Sequence, residues 1–246
     1  MSYSVIVKED CATCQLVVPV IKQLKEDDEL TIYSQDNVQF PSGVSVIDDT
    51  QLEYSWRRRI ETVPTLIKFN DNGEELARVI GWEKSEWQAL TGKPLEFDLP
   101  DFRPGCGSKS VDPGMPEKLA ARFDRDKLQS RELTISTEED DMEACFDRGW
   151  SDGLPVVPPT AERVMRMLTG TNRSPDEIVG VVPPDLALCT IEKIAINAVL
   201  AGCKPEYLPV VIASVEAALQ DEFCMHGLLA TTYYSGPLVI VNGPLS

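Results

Sequence analysis

Two cysteines three residues apart stand where an apolar run gives way to a helical pattern. Cys11-Ala12-Thr13-Cys14 follows Ser4-Val5-Ile6-Val7 and precedes apolar Leu16, Val17, Val20, Ile21 and Leu24. The run predicts a strand and the later spacing a helix, so the dithiol falls at the helix's first turn. Unsatisfied N–H groups and the positive end of the helix dipole stabilise a thiolate there. The thiolate is the nucleophile of thiol–disulfide exchange, so the pair is placed to cycle between dithiol and disulfide. The other use of a CxxC, half of a zinc site, wants a second CxxC or a His pair. This chain has one His and no second CxxC, so neither a metal nor a cofactor is expected.

The order of elements around the dithiol narrows the fold. Residues 30–33 and 44–47 read as short strands, and 51–59 as a helix. Pro19 interrupts the first helix and is expected to bend it. Thr65-Leu66-Ile67-Lys68-Phe69 reads as a strand, Asp71-Asn72-Gly73 as a hairpin turn and 75–80 as the returning strand. Gly81 breaks the pattern, and 85–90 begins a last helix. Arg57-Arg58-Arg59, the only basic run, lies late in its helix, where cations complement the dipole in a solvated end.

Over roughly its first 93 residues the chain resembles the thioredoxin family. The matching pieces are the CxxC at a strand–helix junction, Val63-Pro64-Thr65 before a strand, the Asn72-Gly73 hairpin and Gly81 before the final helix. The resemblance implies a central sheet covered by helices on both faces. It also implies Cys11 as attacking thiol, Cys14 as resolving thiol and Pro64 as a cis-proline beside them. The backbone of Val63, Pro64 and Thr65 would then receive substrate as an extra strand. The family's Trp before the first Cys is Asp10 here, preceded by Glu9, and its Gly-Pro between the cysteines is Ala12-Thr13. Acids beside Cys11 oppose its ionisation, so a less depressed pKa is expected. The family's extra N-terminal strand and helix are missing, which brings the module closer in size to glutaredoxins, without their glutathione-recognising residues.

Composition limits the partners. The net charge of −17 is spread along the chain, which argues against nucleic acid and anionic membrane. No apolar stretch reaches spanning length, and no signal peptide is read at the start. Seven cysteines without framework spacing point to a reducing, cytoplasmic setting rather than a disulfide scaffold.

Past residue 93 the character changes. Residues 94–148 read as a Pro/Gly-rich linker or extended wrap with short helices, including an acidic helix at 137–148 capped by Thr137. Cys145 is expected to be packed. Cys106 lies between two glycines, with Arg103 and Lys109 nearby to favour its thiolate. It reads either as a second redox thiol, a target of the dithiol, or as an incidental loop cysteine.

Residues 149–246 read as a second α/β unit, with a short buried strand in 150–160, helices at 161–168, 190–201 and 209–219, and strands at 179–182 and 238–241. Asp152-Gly153-Leu154-Pro155, residues 197–203 and Asn242-Gly243-Pro244 weakly resemble the uncharacterised region of UGSC-related redox proteins. That group's redox tetrapeptide is absent, with Cys106-Gly107-Ser108-Lys109 a partial echo. The polar candidates for a site are Asp152, Arg163, Glu192, Asn197, Cys203, His226 and Tyr233 or Tyr234. On a strand, Cys224 and His226 would share a face as a nucleophile pair; the bland reading is a packed Cys and a satisfied His. The terminal apolar strand is expected either to be covered by the helices at 190–201 and 209–219, or to need a second polypeptide or copy to complete the domain.

The expectation is a fold of α/β class: a thioredoxin-like domain, a linker and a second α/β unit. The expected activity is thiol–disulfide exchange on a protein or small-molecule disulfide, with electrons relayed to a thiol site in or docked on the C-terminal half. The alternative is a non-catalytic thioredoxin-like subunit that mediates assembly.

Overall fold

The computed structural model describes residues 2–27, 30–233 and 235–243. The fold is mixed α/β, and the chain divides into two compact units, Met1–Leu119 and Ala120–Ser246. In the first unit, β1 (Ser2–Val7) leads into α1 (Ala12–Leu16) and α2 (Val18–Asp27). The single helix expected there is two, because the turn at Val17 separates them and Pro19 then sits in the first turn of α2, where its missing N–H costs nothing. Next come β2 (Leu30–Ser34), β3 (Ile47–Asp48), α3 (Glu53–Arg57), β4 (Thr62–Val63), β5 (Thr65–Phe69), β6 (Glu75–Ile80), β7 (Trp82–Glu83) and α4 (Lys84–Thr91).

Five strands form one sheet in the order β3-β2-β1-β5-β6. β1 pairs parallel with β2 and antiparallel with β5, so it is a central strand. Its residues 3–7 are buried without a break, as expected of a strand covered on both faces. α2 contributes Val20, Ile21 and Leu24, and α4 contributes Trp87, to the same core. Trp87 meets Trp82 edge-on, ring centroids 5.3 Å apart, and both indole N–H groups are satisfied, by Gly81 O at 3.0 Å and Pro100 O at 2.6 Å.

The first unit does not stop near residue 93. Leu95 is fully buried in the core, and Phe97 and Leu99 pack against it. β8 (Phe102–Arg103) pairs with β7, and β9 (Cys106–Gly107) pairs with β4. The stretch read as linker is therefore a strap on the domain. It has no periodicity because its anchors are backbone pairing and single side chains. α5 (Met115–Phe123) spans the division between the units.

The second unit is organised by helices: α6 (Asp141–Asp147), α7 (Ala161–Leu168), α8 (Ile191–Leu200), α9 (Leu208–Ala218) and α10 (Met225–Ala230). Thr160 caps α7 and Thr190 caps α8 through their hydroxyls, as such residues do at helix starts. Asp140, not Thr137, caps α6, and the helix starts four residues later than the spacing suggested. Cys145 is buried as expected. α8 buries Ile191, Ile194, Ala195, Ala198 and Val199, one stripe at 3–4 spacing, against a core that includes Val164, Met167, Leu208 and Ile212.

β10 (Ile178–Val182) and β11 (Ala187–Thr190) form an antiparallel ribbon, so the expected α/β alternation is corrected to a helical core beside one hairpin. Two other expected strands are absent among the described residues. Leu154 and Val157 lie in irregular, exposed chain. Residues 238–241 lie outside any sheet, with Leu238 83 % and Ile240 74 % exposed. Apolar sequence alone does not make a strand where no neighbour takes its backbone hydrogen bonds.

Glu192 is buried and accepts the Gln129 and Ser130 N–H groups, each at 2.9 Å. It anchors the chain before α6. Glu192→Ala should destabilise this unit by roughly 2–4 kcal/mol, because two N–H groups lose a strong acceptor. A urea melt measures it, and Glu192→Gln, which keeps one acceptor, should cost less.

Candidate active site

The dithiol sits where β1 ends. Cys11 is the N-cap of α1, and its sulfur accepts the Cys14 N–H at 3.4 Å. The acids before it are held from behind: Asp36 accepts the Glu9 N–H at 2.7 Å and the Asp10 N–H at 3.0 Å. Cys11 is 3 % exposed and Cys14 is fully buried.

β4 passes over this pair. The Val63–Pro64 peptide is cis, and Val63 O lies 3.6 Å from Cys11 Sγ. Thr65 Oγ1 donates to Thr62 O at 2.7 Å, and Gly81 N donates to Pro64 O at 2.8 Å. Of the residues expected to dock substrate, Val63 lies beside Cys11, with Pro64 and Thr65 next along the chain.

The backbone edge at Thr62–Val63 is already occupied. The strap lies antiparallel on it, pairing Val63 with Cys106 and Thr62 with Gly107. That register sets Cys106 Sγ 2.7 Å from Cys11 Sγ, closer than ordinary contact but longer than the roughly 2.0 Å of a disulfide bond. All seven cysteines are free thiols. Of the two readings of Cys106, the structure therefore places it at the dithiol rather than in an idle loop.

Several devices hold the strap. Thr13 Oγ1 donates to Pro104 O at 2.7 Å, tying it to the CxxC helix. Gly105 is required, because a Cβ there would lie 2.7 Å from Val63 O and 2.4 Å from Thr62 Cγ2. Beyond Cys106, Ser108 N donates to Glu61 O at 2.9 Å. Buried Gln35 donates to both Ser55 Oγ and Ser108 Oγ at 2.7 Å and accepts Lys109 N–H at 3.0 Å. Ser108 Oγ pairs with Ser110 Oγ at 2.7 Å, which donates to Ile60 O at 2.6 Å. Gln35 and Ser110 did not stand out in the sequence, and Thr13, Gly105 and Ser108 did so only as neighbours of cysteines, since their partners are remote and no motif marks these contacts. Gln35→Ala should cost about 1–3 kcal/mol, leaving two hydroxyls and an N–H short of partners. It should also speed alkylation of Cys106, read by mass spectrometry.

The three sulfurs divide the charge unequally. A hydrogen bond from Cys14 is the largest influence on Cys11, and with donors from Cys106 and the Cys14 and Thr13 backbone it outweighs burial and lowers the pKa to about 5. The flanking acids were expected to make it less depressed; they are exposed, so solvent screens them while the hydrogen bonds act at contact. Burial, then the hydrogen bond to Cys11, raises Cys14 far above the usual thiol range. Burial and Cys11 also raise Cys106, against the expectation from Arg103 and Lys109; the cation that opposes this is Lys8. The environment thus favours the negative charge on Cys11 over Cys14 and Cys106.

The second-unit pair is not assembled. Cys224 has a left-handed backbone at the start of α10, and His226 lies within that helix, where residues two apart face different ways. Both are exposed. Arg163 donates to Pro158 O at 2.8 Å and Asn197 to Lys193 O at 2.8 Å, both local contacts. Tyr233 is exposed, and Tyr234 lies outside the described residues. Trp150, Asp152, Pro155 and Val157 line a groove with Leu200 and Gly202, which brings together two of the segments singled out in the sequence.

Among the described residues no cluster of His, Cys, Asp and Glu is arranged to hold a metal ion, and no helix is long and apolar enough to cross a membrane. No known family model matches the chain, and no curated protein matches it significantly.

Proposed function

We propose that the chain is a thiol–disulfide oxidoreductase whose first unit is a thioredoxin-like module. The observation that carries this reading is the placement of Cys11 and Cys14: Cys11 is the N-cap of α1 and accepts the Cys14 N–H at 3.4 Å, with Cys14 fully buried three residues on, an environment that lowers the Cys11 pKa. The sheet order, the CxxC between β1 and α1, and the cis Val63–Pro64 peptide beside it support the same assignment.

Cys11 Sγ attacks a disulfide sulfur, one thiolate leaves, and a mixed disulfide forms. Once Cys11 is bonded its negative charge is gone, and with it two of the influences that hold Cys14 protonated. Cys14 can then ionise, attack Cys11 Sγ and release the second thiolate. The substrate is a protein or small-molecule disulfide, and a reducing cytosol is the setting that suits seven free thiols.

The test is dithiol-dependent reduction of insulin or an aromatic disulfide by the full chain. Turnover that Cys11→Ser abolishes, and that Cys14→Ser slows by leaving Cys11 held in an intermediate disulfide, is the expected result. Full activity in both variants would refute the reading.

A second reading, a non-catalytic assembly subunit, is favoured by one observation: Leu238, Val239, Ile240 and Val241 are exposed beside Phe223 and the Pro209–Val210 end of α9. Light scattering on the purified chain distinguishes them. A monomer that binds no hydrophobic dye would dismiss the assembly surface.

A further inference from the structure

We propose that Cys106 is the third redox sulfur of this site and its point of entry: a low-molecular-weight disulfide reacts first at Cys106, which then passes its oxidising equivalent to Cys11 and Cys14. This rests on the oxidoreductase reading above and names the substrate class for it.

Three observations carry it. Strap residues 106–107 occupy the Thr62–Val63 edge in antiparallel register, the position an extended substrate would take. The register aims Cys106 Sγ at Cys11 Sγ, 2.7 Å away, with a buried polar network fixing the chain on its C-terminal side. Finally, Cys11 and Cys14 are buried, whereas Cys106 is the partly exposed residue of the three, and a Cβ built on the next residue, Gly107, would meet open space. A folded protein disulfide would have to displace the strap to reach Cys11. A small disulfide need only reach Cys106.

The chemistry balances. Cys106 attacks one sulfur of RSSR as its proton passes to the adjacent Cys11 thiolate; one RS⁻ leaves and takes that proton. Cys11, a thiolate again, attacks Cys106 Sγ and expels the second RS⁻, forming the Cys11–Cys106 disulfide. Cys14 loses its proton and attacks Cys11 Sγ, and Cys106 leaves as thiolate. RSSR has gained two electrons from Cys11 and Cys14, which end as a disulfide. Two protons and one negative charge are shared among Cys106 and the two released thiols. An external dithiol restores the pair by ordinary exchange.

The experiment treats the full-length Cys14→Ser chain with one equivalent of oxidised glutathione, quenches it with an alkylating agent and maps the peptides. The Cys11 and Cys106 peptides should be joined in most of the product. Glutathione retained on Cys11 with Cys106 alkylated would overturn the proposal, as would Cys11 and Cys106 both recovered as alkylated thiols. Because Cys14 is fully buried, Cys14→Ala is run beside it in case the hydroxyl disturbs folding. In parallel, Cys106→Ser should lower the rate of glutathione disulfide reduction by about tenfold or more, since the entry sulfur is gone. An unchanged rate would make the strap a mere cover and sink the proposal. Failure of the underlying reading looks different: the unsubstituted chain would then turn over no disulfide.

Discussion

The reduced protein is expected to carry a thiolate at Cys11 that titrates with a midpoint near pH 5, followed by ultraviolet thiolate absorbance. At pH 7 that is roughly 30-fold more thiolate than an unperturbed thiol of pKa about 8.5 would hold. Cys11→Ser should remove the transition. Cys14→Ala should move it upward, because the hydrogen bond from Cys14 is its largest cause. Stability follows the same groups. The folded pKa of Cys11 lies below its unfolded value, so its thiolate adds stability that is fully present above about pH 8.5 and lost as pH falls toward 5. Cys14 and Cys106 have raised values, so the stability they add is full below about pH 8.5 and lost as pH rises beyond it. Between pH 5 and 8 the reduced chain should therefore gain stability relative to Cys11→Ser, measured by urea melts in the presence of reductant. A flat difference across that window would show that Cys11 is an ordinary thiol.

Gly105→Val is expected to lift the strap off the dithiol. A side chain at this position meets Thr62 Cγ2, which can turn away, and Val63 O, which cannot because it is backbone held in the β4–β9 pair. Gly81, with φ +75°, closes the other side, its own Cβ position lying 2.8 Å from Gly105 N. Overpacking of this kind costs about 1–3 kcal/mol. Here the displaced element also carries Cys106, so its contact with Cys11 should be lost with it. The chain should unfold at lower urea, and Cys106 should be alkylated faster. The Cys11 thiolate should shift upward in pKa as one hydrogen-bond donor departs. Unchanged alkylation would mean that the strap bends around the new side chain.

The two variants separate what the sequence reveals from what it hides. Cys11 and Cys14 could be placed on a helix start from local spacing, and Pro64 could be set before a strand. Thr160 could likewise be named as a cap, because each relation spans a few residues. Periodicity reports burial in the same way, which is why the strands at 4–7 and 65–69 and the helices near 161–168 and 191–200 were legible. It failed where burial and pairing part company. The apolar run at 238–241 has the composition of a strand, yet its backbone finds no sheet. Residues 94–111 have no period, yet they belong to the first core through Leu95 and the β7–β8 and β4–β9 pairs.

The sequence by itself determined a dithiol at a strand–helix junction, the apolar strand before it and the apolar stripes of several helices, since all of these depend on neighbours along the chain. Only the tertiary structure decided that Cys106, 95 residues from Cys11, is the sulfur that meets it, and that Gln35 reaches 73 residues to Ser108 to hold it there. Such contacts are set by where the backbone runs after the sheet and core have formed. They turn on a register between short strands, one glycine thin enough to let two backbones approach, and polar groups that must find partners once buried.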